Sequence, residues 1–232
     1  MPTSTYETVY SLAEDQMGYV TAAQAAAAGV RQPTLVMMAR RGTLQRVSRG
    51  VYRLVRFPGM PLAQYMQATL WPYDRAGRVE HRVRGVLSHE TALALHELSD
   101  VAPPKVHITV PATYRVQREV PAYLVVHRAD LGADDVTALE GMPIVTPERA
   151  IRDCLSAHLG PALLNQAIDD GLRSGRLTRP LADQLRRELE DADRVAEAPP
   201  RHRRATARAR QAAATALPRP AAQRAAARHA AP

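Results

Sequence analysis

"VRQPTLVMMARRGTLQRVSRGVYRL", residues 30 to 54, lays down most of the architecture of the first part of the chain. Pro33 suits the first turn of a helix, where its missing N–H is not needed, and Gly42 suits the left-handed residue that ends one. Between them Leu35, Met38 and Ala39 fall on one side, which predicts a helix from Gln32 with those three turned inward. Gln32, Thr34, Met37, Arg40 and Arg41 are left on or beside the outer face. "TLQRV" and "VYRL" follow as two β-rich runs around Ser48-Arg49-Gly50, the pattern of a hairpin. Carried on to Arg56, the stretch holds seven arginines and no carboxylate.

Upstream, Tyr6, Val9, Tyr10 and Ala13 recur at i, i+3, i+4 and i+7, the stripe of a first amphipathic helix. Met17-Gly18 breaks it. Thr21-Ala22-Ala23-Gln24 reads as a capping box, and Gly29 ends the short alanine-rich helix that the box opens. A helix, a helix-turn-helix and a two-stranded wing, in that order, make a winged helix-turn-helix. In such a unit the helix after the tight turn can enter the DNA major groove.

Charge is spread unevenly over the 232 residues, whose net charge is +8. Residues 1–56 carry +4, residues 57–194 carry −3, and residues 195–232 carry +7; no acid lies between Asp15 and Asp74. "FPGMP" at 57–61 marks a boundary. The expected architecture is therefore α+β, with a winged helix-turn-helix at 1–57 and a mixed α/β second domain at 58–194. The Arg/Ala/Pro-rich segment 195–232 has no pattern that fits a core and is expected to be a disordered basic tail. In the second domain helices are expected over 62–71, from Ser88-His89-Glu90 to about Leu98, from Thr146-Pro147-Glu148 through Cys154, and over 161–172 and 179–193. Extended runs are expected at 105–110, 122–127 and 142–146. The single cysteine rules out an internal disulfide and suits a reducing, cytoplasmic setting. No apolar run approaches the length of a membrane span, and no signal-peptide pattern opens the chain.

Gly42-Thr43-Leu44-Gln45-Arg46-Val47-Ser48-Arg49-Gly50-Val51-Tyr52 is similar to a "G-x-L-x-R-V-x-R-G-V-Y" pattern. That block resembles the N-terminal domain of the AbiEi-type antitoxins, transcriptional regulators of type IV toxin–antitoxin operons. "LSHETALALHELSD" (87–100), "VHITVP" (106–111) and "TPERAIRD" (146–153) resemble that family's second domain, so the likeness spans roughly residues 5–194 and leaves out the tail. It implies a repressor that binds repeats in its own promoter, with double-stranded DNA as one partner and a nucleotidyltransferase-like toxin as the other.

Arginine suits such a role, because its planar fork grips a phosphate or the guanine O6/N7 edge with two hydrogen bonds. Arg31, Gln32, Thr34, Met37 and Arg41 are the candidates for the groove, with Arg40 beside them. Arg46, Ser48, Arg49 and Arg53 are the candidates for a hold on phosphate or the minor groove from the wing. The bland alternative is a solvated or protein-binding surface, but a surface built for solubility mixes both signs. Stand-alone regulation, or neutralisation of a toxin by direct contact, is the rival reading.

No catalytic or metal site is expected. His81, His89, His96, His107 and His127 invite a metal reading, yet His89 and His96 are seven apart, where a chelating helical pair sits at i, i+4. Glu148 lies in a first helical turn, where the dipole favours a carboxylate, and Arg149 with Asp153 makes an ordinary i, i+4 pair. Cys154 has apolar neighbours and reads as a small buried hydrophobe. The chain is expected to be neither an enzyme nor a cofactor binder, and its oligomeric state is left open.

Overall fold

Helix α1 (Thr5–Glu14) begins at Ser4, whose side chain and that of Glu7 satisfy each other's backbone N–H groups. The computed structural model describes residues 4–72, 84–116 and 119–197. Along α1, Val9 and Ala13 are fully buried, but Tyr6 and Tyr10 are 47% and 39% exposed. The stripe is thus turned from the expected one, with half-buried Leu12 taking the inner place and the two tyrosine rings side by side on the flank. The reason is the partner: Val9 and Ala13 share a core with Ala22 and Ala25, where small groups fill the space.

Strand β1 (Tyr19–Thr21) leads into α2 (Ala22–Ala27), opened by the Thr21–Gln24 capping box. Gly29, at φ +84°, closes α2: its N–H donates to the Ala26 carbonyl, and the N–H of buried Val30 donates to that of Ala25. This paired closure satisfies carbonyls the helix leaves over and sets a tight turn into α3 (Gln32–Arg40). Gly42, at φ +75°, closes α3 in the same way through the carbonyls of Ala39 and Met38. Strands β2 (Leu44–Ser48) and β3 (Val51–Leu54) then form the expected hairpin. An antiparallel three-stranded sheet results, in the order β1-β3-β2, with a register shift between Arg46 and Ser48. The added strand β1 was hidden in the sequence because three residues are too few to show alternation.

Beyond residue 57 come α4 (Ala63–Leu70), β4 (Val86–Leu87), α5 (His89–Leu95), β5 (Val106–Val110), β6 (Leu124–Arg128), β7 (Val136–Leu139), β8 (Met142–Val145), α6 (Pro147–Ser156), α7 (Pro161–Arg173) and α8 (Arg179–Glu197). The five strands form a mixed sheet in the order β6-β5-β4-β8-β7. β5 with β6 and β4 with β8 are parallel, while β4–β5 and β7–β8 are antiparallel. Its core is built on Trp71, Leu87, Leu93, Ile108, Met142 and Ile144, and Met17, Tyr19 and Val51 from the first 57 residues join it. Helix α5 stops three residues short of the expected Leu98, because Glu97 and Ser99 take left-handed φ values of 55° and 63°. Leu98, between them, is fully buried.

Two compact units divide the chain, Met1–Leu189 and Glu190–Pro232. Of the segment read as a tail, residues 195–197 lie in α8, and the rest falls outside the described residues, as does His81. No helix among the described residues is long and apolar enough to cross a membrane.

Candidate nucleic-acid interface

Leu35 is the one buried residue of α3, with Met38 and Ala39 half-buried beside it. That inward stripe fixes what the opposite face shows. Arg31, Gln32, Met37, Arg40 and Arg41 are exposed, and Thr34 is half-buried. Pro33, Val36, Met37 and Arg40 fall at i, i+3, i+4 and i+7, so they form an outward stripe of their own. Val36 is 36% and Met37 47% exposed. Val36 was not singled out from the sequence, although this second spacing was there to find it.

On the hairpin, Arg46 and Arg49 are exposed. Ser48 and Arg53 are presented differently. The Ser48 Oγ is buried, at the register shift, without a hydrogen-bond partner among the described residues. Arg53 is half-buried on β3, and its guanidinium donates to the Phe57 and Pro58 carbonyls at 3.1 Å each and lies 5.9 Å from the Tyr19 ring centre. It braces the end of the hairpin. Between α3 and the hairpin lies an open depression of about 560 Å³, lined by Val36, Arg40, Arg46 and Val55 among others.

Several cations further along the chain are paired with carboxylates, although Lys105, Arg115, Arg128, Arg179 and Arg187 take part in no described ion pair. Arg149 pairs with Asp153 at 2.7 Å and Asp135 at 3.1 Å, Arg152 with Glu148 and Glu188, and Arg186 with Asp169. Among the described ion pairs none involves Arg31, Arg40, Arg41 or Arg46. Four exposed guanidinium groups thus stand on one small helix and its hairpin without a carboxylate.

The histidines gather elsewhere. His89 stacks on His127 with ring centres 3.5 Å apart, and His127 Nε2 lies 3.2 Å from His107 Nδ1. His96 Nε2 donates to the Val145 carbonyl at 2.7 Å. No group of three or more His, Cys, Asp or Glu among the described residues is arranged to hold a metal. Burial first, then the neighbouring rings, pushes His89 down to about 3 and His127 down to about 4, from an ordinary 6.5. Cys154 is fully buried, and burial pushes its thiol up.

A pH dependence follows from those depressed values. Both imidazoles are neutral in the folded protein, so their contribution is whole above about pH 6.5, where the unfolded chain is neutral as well. It is lost progressively as pH falls below that, toward 4 for His127 and toward 3 for His89, because the unfolded chain takes up protons first. The urea midpoint is expected to be lower at pH 5 than at pH 7, with a smaller drop in His127→Gln. An equal midpoint at both pH values would contradict the neutral cluster.

A short α2, a tight glycine turn, a cationic α3 and an antiparallel sheet make the first module helix-turn-helix-like. Residues 7–55 match the family model described as transcriptional regulator, AbiEi antitoxin. The match covers the first block of the resemblance; the blocks at 87–100, 106–111 and 146–153 lie outside it. No curated protein matches the chain. Among solved structures, the crystal structure of the RV2827C protein from Mycobacterium tuberculosis is 20% identical, covering 78% of this chain and 71% of that one, at a TM-score of 0.44. A likeness that loose defines neither fold nor function.

Proposed function

We propose that this protein is a DNA-binding transcriptional repressor that serves as the antitoxin of a toxin–antitoxin operon. Its first module acts as a winged helix-turn-helix, with α3 the recognition helix and the β2–β3 hairpin the wing. The observation that carries this is the face on which Arg31, Arg40, Arg41 and Arg46 stand exposed and outside every described ion pair. A phosphate backbone supplies the missing negative charge and releases its counterions on contact. The antitoxin description of the matching family supports the operon role; a toxin partner of nucleotidyltransferase type is what the resemblance of the sequence blocks implies.

The mechanism is occupancy rather than catalysis, with no cofactor. α3 reads base edges, Arg46 and Arg49 hold the backbone from the hairpin, and the promoter is blocked. One module of this size touches few base pairs, so two copies on repeated half-sites are expected. A nuclease footprint on the DNA upstream of the protein's own gene tests the reading. Paired protected segments spaced by about one helical turn, or a multiple of it, are the expected result. Absence of any protection there overturns it.

A further inference from the structure

The outward stripe of α3 is apolar at its centre. Val36 and Met37 are both substantially exposed on a nine-residue helix that otherwise shows water Gln32, Pro33 and Arg40, with exposed Arg41 just past its end. Neither packs in a core, and each borders an open depression: one of about 510 Å³ is lined by Gln32, Pro33, Val36, Met37 and Arg40, and the larger one beside the hairpin shares Val36 and Arg40. Exposed valine and methionine side by side add nothing to solubility, and neither belongs to a described core cluster. Their cationic rim selects the occupant, since an anionic surface must present an apolar group at its centre to match it. In the major groove of duplex DNA that group is the C5-methyl of thymine, the one apolar feature among the base edges, lying between two phosphate backbones.

We propose that Val36 and Met37 form a methyl-reading patch, and that the operator places thymine methyl groups against it. The inference rests on the DNA-binding reading and adds its base preference. Arg40, one turn beyond Val36, fixes the helix over the groove, while the γ-methyls of Val36 and the thioether of Met37 cover the thymine. Arginine reading of guanine would specify G·C pairs at the flanks of the site; this patch specifies T·A pairs at its centre.

The full 232-residue chain is used to select duplexes from a random-sequence double-stranded DNA pool. The best-bound duplex is then remade with deoxyuridine for thymidine, one position at a time, which deletes a methyl and keeps every hydrogen-bonding group. Wild type is expected to bind about fourfold more weakly for each contacted methyl removed, the worth of one buried carbon. Val36→Ala and Met37→Ala are each expected to weaken binding to the thymine duplex and to lose sensitivity to uracil at one or two positions. Both side chains are exposed and alanine favours helix, so circular dichroism is expected to be unchanged. Equal binding of the thymine and uracil duplexes by wild type overturns the methyl-reading patch while leaving the DNA-binding reading in place. Failure to enrich any duplex overturns both.

Discussion

Replacing Arg40 and Arg41 together by alanine is expected to weaken binding to the upstream DNA about 30-fold at about 0.15 M salt, since each lost phosphate contact contributes about 0.9 to the salt exponent. Both guanidiniums are exposed at the end of α3, and their loss removes no ion pair among the described residues. Circular dichroism and the thermal midpoint are expected to match the wild type. Anisotropy titration of a labelled upstream duplex reads the change. An affinity within twofold of wild type would contradict the assignment of this face to DNA. Were one of the pair to read a base edge, the loss on the cognate site would be larger than on unrelated DNA.

The second large effect is on stability. Leu35→Ala is expected to cost about 2–5 kcal/mol, the range for deleting a buried leucine side chain. Leu35 is fully buried and is the only side chain that α3 commits wholly to the core. The small core around it includes Ala13, Ala22 and Ala25, which cannot swell into the space left behind. The urea midpoint is expected to fall, and DNA binding with it, because the helix that carries Arg40 and Met37 loses its anchor. Met37→Ala, on the opposite face, is expected to leave the midpoint within about 0.5 kcal/mol of wild type, as surface changes do. A Leu35→Ala protein as stable as the wild type would show that α3 is held by something other than this side chain.

The outer face of α3 was legible because its two ends are marked by Pro33 and Gly42 and its inner stripe by Leu35. Those signals are local: a ring that fixes φ, a residue that accepts a left-handed turn, a 3.6-residue period. The capping box at Thr21 and the glycine at 29 are of the same kind, and the structure bears out both. What was lost was set by distant partners. Tyr6 and Tyr10 fit an inner stripe by spacing, but the alanines of α2 decide which side of α1 is covered. β1, β4 and β7 are four residues or shorter, and each exists because a neighbouring strand offers it a ladder. The stacking of His89 on His127 joins α5 to β6, a contact no spacing in the chain reveals. Arg53 looked like its neighbours in sequence; the carbonyls of Phe57 and Pro58 and the Tyr19 ring, all beyond its own strand, turn it inward.

Whether the first module meets a phosphate backbone is read from the salt dependence of binding by the full chain to its upstream duplex. With about four of the module's exposed arginines, Arg46 and Arg49 among them, each neutralising one phosphate, log K plotted against log[salt] is expected to fall with a slope of about −3.6 per bound module. An affinity that does not change with salt would mean that these guanidinium groups meet no phosphate backbone and that the first module is not a DNA reader.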